Sequence, residues 1–197
     1  FKQAEAARCF SSGYAAAVGT LSALLEKGDT VILDKLAHAS LIDGARLSGA
    51  TLRVFPHNRL DKLEELLAKT QAKRGPKSRV IVVTESVFSM DGDLCPLKEI
   101  VTLKERYVAW LLLDEAHSFG IFGPRGAGIA AAEGMADRID LQLGTFSKAA
   151  GLAGAYLATR KPIARLLTNR ARSFISSTAH PPPPAAATSP SLTPAPS

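Results

Sequence analysis

Short apolar runs alternate with stretches of helical periodicity along most of the 197-residue chain. Two of the runs, 80–83 (VIVV) and 111–113 (LLL), are apolar without interruption, as strands buried on both faces of a sheet are. The alternation predicts βαβ units and therefore an α/β fold, with a mostly parallel sheet that carries helices on both faces. The predicted strands are 30–33, 51–55, 79–84, 108–114, 141–144 and 155–158. The predicted helices are 13–26, 39–47, 60–70, 97–104 and 162–171.

The composition changes at Pro181, where four consecutive prolines open a segment rich in Pro, Ala, Ser and Thr. Such a segment cannot build a packed helix or strand, so we expect it to be disordered or extended. The sequence is therefore divided into one folded domain, residues 1–178, and a tail, residues 179–197. Because the chain begins at Phe1 without a start methionine, we expect that an N-terminal part is missing.

Composition restricts the classes of function. A hydrophobic content of 46% is enough for a globular core. The net charge of +6 includes two short basic clusters, at 73–79 and 160–172, which contain no aromatic residues. We interpret them as solvated surface, with a polyanionic ligand such as a CoA nucleotide as the second interpretation, and expect no nucleic-acid partner. Two cysteines without disulfide or metal spacing favour a reducing, cytoplasmic location, and no apolar run is long enough for a membrane span.

Chemically active side chains gather just after four of the predicted strands. In open α/β sheets, ligands bind outside the carboxyl ends of the strands, where side chains from several strands can meet. Their common position therefore predicts one composite active site. In chain order these residues are His38, Glu85, Ser89, Asp114, His117, Thr145, Ser147 and Lys148.

Lys148 and Asp114 are the central pair of this prediction. Lys148 lies among small and hydroxylic neighbours, 144–151 (GTFSKAAG), which favours a buried amine with a lowered pKa over an ordinary surface lysine. Such an amine can form a Schiff base with an aldehyde cofactor. Asp114 follows three leucines, where a carboxylate needs a fixed partner. A helix cap or a salt bridge would explain it, and so would the protonated ring nitrogen of such a cofactor.

Two further groups could bind a phosphate. The segment 11–14 (SSGY) opens a predicted helix, so the N–H groups of Gly13 and Tyr14 would be free to bind an anion. On its own, an ordinary serine N-cap is the simpler interpretation. Thr145 could bind the same phosphate or only satisfy the local backbone.

The remaining candidates each have a structural alternative. His38 could cap the following helix or stack on an aromatic ring. His117 could be a structural histidine, or it could donate a hydrogen bond to a ring oxygen beside Asp114. Ser89 lies in a turn-rich segment where a serine needs no special explanation. We assign no role to His57 or His180.

Five stretches of the chain resemble the α-oxoamine synthase family of fold-type I pyridoxal-phosphate (PLP) enzymes. They occur in the family's order. The resemblance implies that residues 1–178 form the large PLP-binding domain of a fold-type I transferase, without N- and C-terminal parts that the family has. It also implies that Ala17 replaces an asparagine. The stretches are FSSGYAA (10–16), AHASLIDGARLSGA (37–50), TESVFSMDGDLCPL (84–97), LLLDEAHSFGIFGPRGAG (111–128) and GTFSKAAGLAGAY (144–156).

The resemblance also implies a role for each candidate residue. Lys148 would form the Schiff base with pyridoxal 5'-phosphate, and Asp114 would hold the ring nitrogen protonated. The remaining implied contacts are stacking on the ring and substrate contact by His38, contact with the phenolic oxygen by His117 and Ser89, and phosphate binding by Gly13, Tyr14 and Thr145.

Members of this family join an amino acid to an acyl-CoA and release CO2 and CoA. The GTFSKA form of the lysine motif favours L-alanine and pimeloyl-CoA as the substrates, as in biotin biosynthesis. The family places the active site at a homodimer interface, so a second copy is the expected partner. The alternatives are a sister enzyme that uses glycine with another acyl-CoA, and a non-catalytic fragment.

Overall fold

The computed structural model describes Lys2 and residues 4–178; the predicted tail, 179–197, and His180 lie outside the described residues. Within this part the strands are β1 (Ala6–Phe10), β2 (Thr30–Asp34), β3 (Thr51–Phe55), β4 (Val80–Glu85), β5 (Trp110–Asp114), β6 (Leu141–Thr145) and β7 (Ala155–Thr159). The helices are α1 (Gly13–Leu24), α2 (Ala39–Leu47), α3 (Leu60–Lys73), α4 (Leu97–Arg106), α5 (Ile129–Ala132), α6 (Lys161–Arg170) and α7 (Arg172–Ile175). Two 3₁₀ turns span Pro124–Gly126 and Ala136–Arg138.

The strands form one sheet with the order β1-β7-β6-β5-β4-β2-β3. The five neighbours from β6 to β3 run parallel to one another, and β7 lies antiparallel between β6 and β1. The prediction of an α/β fold with a mostly parallel sheet is therefore confirmed. The crossover helices that parallel strands require form the two outer layers.

Each face of the sheet is covered by its own apolar layer. On the α1 face, α1, α2 and α6 bury residues such as Leu21 and Leu41 against the strands. On the α3 face, α3, α4 and α5 bury residues such as Leu63 and Ile100. The helices α1 and α2 also pack closely on each other at Gly44. A Cβ at this position would lie only 3.0 Å from the Ala17 carbonyl oxygen.

Alternation along each strand decides which face its last residue occupies. Leu112 belongs to the layer on the α1 face, so Asp114, two positions later in β5, points to that face. Glu85 follows Val83 in β4 in the same way. Asp34 follows Ile32, which belongs to the opposite layer, so the Asp34 carboxylate lies on the α3 face.

The predicted elements agree with the observed ones to within three residues. The main correction concerns β5, which begins at Trp110 and not at 108. Val108 has a φ of 51° and an exposed fraction of 67%, so it lies in a turn and not in the buried strand. The helix α1 ends at Leu24 because Leu25 is extended, whereas α3 continues three residues beyond its predicted end.

Three short elements were not predicted: β1, α5 and α7. The sequence of β1, AARCF, has no long apolar run, and the strand forms because every one of its residues pairs with β7. No helix in the described part of the chain is long and apolar enough to cross a membrane.

Candidate active site

The carboxyl ends of β4, β5 and β6 lie side by side and carry most of the predicted site. Glu85 is the register partner of Asp114, and Asp114 is the partner of Leu143 on the next strand. The loops after these strands enclose an open cavity of about 190 Å³. The structure thus brings together all predicted strand-end residues except Ser89, with the helix start at Gly13. The candidate residues in the cavity wall are Gly13, Tyr14, His38, Glu85, Asp114, His117, Thr145, Ser147 and Lys148.

Two buried carboxyl groups, those of Glu85 and Asp114, lie at this cavity with few partners. The Ala116 N–H donates to Asp114 Oδ1 at 2.9 Å, and the His38 N–H donates to Glu85 Oε1 at 2.6 Å. Burial raises the pKa of Asp114 to about 6, although the Ala116 N–H and the charge of Lys148 oppose the shift. Burial and the nearby Asp114 raise the pKa of Glu85 to about 7. Carboxyl groups with raised pKa values in a cavity are typical of a functional site.

Lys148 lies in the turn after β6, and its side chain is exposed. The prediction of a buried amine is therefore wrong for this structure. The small residues around Lys148 instead build a tight turn, in which the Gly151 N–H donates to the Lys148 carbonyl at 3.0 Å and Gly151 has a φ of 62°. The turn places Lys148 at the wall of the cavity that also contains Asp114.

Thr145 fixes the start of this turn. Its hydroxyl donates to the Gly154 carbonyl at 3.0 Å and accepts from the Ser147 N–H at 3.2 Å. Ser147 Oγ lies 2.8 Å from the same hydroxyl. The backbone interpretation of Thr145 is therefore confirmed, and phosphate binding stays a prediction.

The N-terminus of α1 reaches the cavity through Gly13 and Tyr14. Ser12 caps the helix, since its Oγ accepts from the Ala15 N–H at 3.1 Å, as the simpler interpretation predicts. The Tyr14 hydroxyl donates to Asp43 Oδ2 at 3.1 Å. A helix leaves its first amide groups without an intrahelical acceptor, so the N–H groups of Gly13 and Tyr14 remain able to bind an anion.

The two cavity histidines differ in their surroundings. His38 Nδ1 accepts from the Ser40 N–H at 3.2 Å, so His38 caps α2, as one of its two interpretations predicts. His117 is half-buried, and burial, followed by the positive charges of Lys148 and His38, lowers the pKa of its imidazole. The His117 ring is therefore neutral at pH 7 and can donate from one nitrogen.

Ser89 is the predicted site residue that does not line the cavity. It is exposed in the loop between β4 and α4. The predicted turn in this loop is present, because the Gly92 N–H donates to the Phe88 carbonyl at 2.8 Å and Gly92 has a φ of 73°. A role for Ser89 stays a prediction.

A second group of ionisable side chains at the same edge of the sheet was missed. His57 Nδ1 lies 3.0 Å from Asp34 Oδ1, and His57 Nε2 lies 2.7 Å from Asp93 Oδ2. The Asn58 amide donates to Asp93 at 2.9 Å, and the His57 ring packs edge-on against Phe88 with centroids 4.4 Å apart. We call these five residues the His57 cluster. Asp34 and Asp93 are 23 and 36 positions from His57, so the local sequence carries no sign of the pairing.

The class of protein to which this fold and cavity belong is given by a comparison with protein families. The family model for aminotransferase class I and II matches residues 1–194. The chain therefore belongs to the aminotransferase class I and II family.

Similar proteins narrow the family further. The 8-amino-7-oxononanoate synthase of Geobacter sulfurreducens is 50% identical over 182 residues, which cover 92% of this chain and 46% of the relative. The enzyme of that name from Pelobacter propionicus is 48% identical over the same length, with the same two shares. A solved structure of serine palmitoyltransferase with the PLP internal aldimine is 38% identical and has a TM-score of 0.88 over 94% of this chain and 46% of its own.

These comparisons confirm the resemblance to the α-oxoamine synthases and the fold of a PLP-dependent transferase. The chain spans about half the length of the curated relatives that it matches.

Proposed function

We propose that this chain forms the cofactor-binding part of a PLP-dependent C-acyltransferase like 8-amino-7-oxononanoate synthase. The enzyme joins L-alanine to an acyl-CoA, pimeloyl-CoA, with loss of CO2 and CoA. The observation that carries the proposal is the buried pair of carboxyl groups, Glu85 and Asp114, in one cavity with Lys148. The names of the relatives described above support the choice of reaction.

The residues at the cavity fit PLP at three points. The amine of Lys148 can bond to an aldehyde. The Asp114 carboxylate has one backbone partner and can pair with a protonated ring nitrogen, which would lower its pKa again. The N–H groups of Gly13 and Tyr14, with Thr145, can bind a phosphate.

When bound, PLP supplies an electron sink for negative charge at the Cα of the amino acid. Lys148 Nζ takes the proton from Cα and returns a proton there at the end of the reaction. Between these transfers, the bond from Cα to the acyl carbon forms, the thioester C–S bond breaks and CoA leaves as a thiolate, which takes a proton from water. The bond from Cα to the carboxylate breaks as CO2 leaves.

The other cavity residues bind and orient. Asp114 would keep the proton on the ring nitrogen, and His38 would pack against the ring and contact the substrate. His117, which is neutral at pH 7, would donate to the phenolic oxygen. The resemblance alone implies that Ser89, which lies outside the cavity wall, joins this contact. Glu85 accepts from the His38 N–H and would thereby hold the His38 segment at the cavity.

A homodimer and a cytoplasmic location belong to the same proposal. The dimer follows from the resemblance, which places the active site between two copies. The location is supported by Cys9 and Cys95, which are both free thiols.

The test is to add PLP to the purified chain and record the visible absorption band that PLP gains on bonding to a lysine amine. We expect the band in the wild type and in Lys98→Ala, which removes an exposed lysine on α4, and its loss in Lys148→Ala. A wild-type chain without the band, or an equal band in Lys148→Ala, would contradict the proposal.

A sister α-oxoamine synthase is the second candidate, because the serine palmitoyltransferase structure superposes closely on this chain. The spectral change on adding amino acids to the PLP-loaded chain separates the two. A response to L-alanine supports the first candidate, whereas a response only to glycine or L-serine supports the second. A chain that binds PLP but responds to none of the three would be a non-catalytic fragment.

A further inference from the structure

Lys69, Lys73 and Arg74 line a groove at the end of the sheet opposite Lys148. The groove has a volume of about 460 Å³ and lies at the amino ends of β2, β3 and β4, where Thr30, Thr51 and Val80 are part of its wall. The candidate active site lies at the opposite ends of the strands, the carboxyl ends of β4, β5 and β6. Because a strand rises about 3.3 Å per residue, five-residue strands separate the two sites by roughly 15 Å.

Among the residues that the structure describes, four cationic side chains line this groove and no carboxylate does. Two of them, Lys69 and Lys73, come from one face of α3, since residues 66, 69, 70 and 73 of the wall are spaced as neighbours on a helix surface. Arg53 comes from β3 and Arg74 directly follows α3, so two separate parts of the chain contribute positive charge to one groove.

The cations of the groove are only weakly neutralised. Lys69 forms an ion pair with Glu65 at 2.5 Å, but both side chains are largely exposed, and exposed pairs contribute little free energy. Arg53 and Lys73 form no ion pair within the described residues. Lys73 complements the negative end of the α3 dipole, but this does not explain Arg53, which belongs to a strand.

Arg74 is held in place before any ligand arrives. Its Nε donates to the Ser78 carbonyl at 2.7 Å, and its Nη1 donates to the Val108 carbonyl at 2.9 Å. These contacts leave the rest of the guanidinium for a ligand, and they reduce the conformational entropy that binding must remove. The hydroxyls of Thr51 and Ser78 add neutral hydrogen-bonding groups to the wall.

We propose that this groove is a second ligand site, which binds a small molecule that carries two linked phosphate groups, such as pyrophosphate or a nucleoside diphosphate. Several converging cations suit the multiple negative charges of a diphosphate, and planar guanidinium groups match phosphate oxygens in pairs. The volume falls within the range of small-molecule pockets. The site is independent of the proposed PLP chemistry, since none of its residues lines the other cavity.

The experiment is a calorimetric titration of the chain with pyrophosphate, ADP and adenosine at low ionic strength. The groove variant is Arg53→Ala with Lys73→Ala, two exposed residues whose replacement leaves the core intact. The matched control is Arg165→Ala with Arg170→Ala. Both residues are exposed on α6, and their replacement removes the same amount of charge at a different place. The Lys148→Ala variant, titrated in parallel, separates this site from the PLP site.

We expect pyrophosphate and ADP to bind the wild type, the control and Lys148→Ala alike, and adenosine not to bind. In the groove variant we expect the dissociation constant to rise about tenfold or more, because two charge-assisted contacts are lost. An equal dissociation constant in the groove variant and the wild type would overturn the proposal. So would binding of adenosine as tight as that of ADP, or a loss of binding in the control equal to that in the groove variant.

Discussion

Two groups of carboxylates lie at the same edge of the sheet and differ in how their charges are satisfied. On the α3 face, Asp34 and Asp93 bind the two ring nitrogens of His57. On the α1 face, Glu85 and Asp114 are buried with one backbone N–H each, and their pKa values are raised. The first group contributes to stability, whereas the second keeps a free energy cost that a cationic ligand can offset.

The two groups should differ most in the free energy of unfolding that is lost when Asp34, the central acceptor of the His57 cluster, is replaced. Asp34 is fully buried and accepts from His57 and from the Leu36 and Asn58 N–H groups, at 2.9 to 3.0 Å. We expect Asp34→Ala to lower the free energy of unfolding by about 3–5 kcal/mol, because three donors lose their acceptor. Urea denaturation measures this change. Asp114→Asn should shift the same free energy by less than about 1 kcal/mol, and equal costs would contradict the comparison.

A smaller effect is expected from His57→Ala, and it should depend on pH. Burial alone would lower the pKa of His57, but the hydrogen bonds and charges of Asp34 and Asp93 outweigh it and raise the pKa. A raised histidine pKa adds stability that is complete below the unfolded-state value of about 6.5 and is lost as the pH rises through the folded-state value. We expect a cost of about 2 kcal/mol at pH 6 and a smaller cost at pH 9.

Chemical denaturation at both pH values checks this prediction. His38→Ala is the control, because it removes an exposed helix cap and should cost about 1 kcal/mol. A His57→Ala cost that is the same at pH 6 and pH 9 would show that the ring acts only through packing against Phe88.

The active-site acids should give a pH dependence of the same sign as His57, but over a lower pH range. Because the folded-state pKa values of Glu85 and Asp114 are raised to about 7 and about 6, the folded chain holds protons that the unfolded chain has already released. Their contribution is therefore most favourable near pH 4 and is lost as the pH rises to 7. We expect Glu85→Gln with Asp114→Asn to remove a decrease of several kcal/mol in the free energy of unfolding between these pH values, because each pKa unit corresponds to about 1.4 kcal/mol. A free energy of unfolding that decreases more steeply with pH in the variant than in the wild type would contradict this prediction.

The smallest change in stability is expected for Lys148→Ala. The Lys148 side chain is exposed and forms no ion pair within the described residues, so we expect a shift of less than about 0.5 kcal/mol in the free energy of unfolding. The same substitution should abolish the PLP band. A large loss of stability would mean that a missing band reports unfolding and not the loss of the reacting amine.

The sequence alone predicted those features of the fold and the site that depend on residues close together in the chain. Continuous apolar runs located β4 and β5, and the ends of these strands located Glu85 and Asp114. The features that it missed depend on distant residues. The strand β1 depends on pairing with β7, and His57 depends on Asp34 at the end of β2 and on Asp93 in the loop after β4. The exposure of Lys148 was mispredicted, because small neighbours fit a tight exposed turn as well as a buried site.

The position of β1 in the sheet also has a consequence for the order of synthesis. The strand is made first among the seven, but β7, its neighbour in the described sheet, begins at Ala155. A ribosome adds roughly 5–20 residues per second, so β1 waits on the order of ten seconds for its partner. During this interval its backbone groups have no strand to pair with, and a chaperone or a neighbouring nascent chain can reach them. The five neighbouring parallel strands, in contrast, can assemble as soon as β6 has been made.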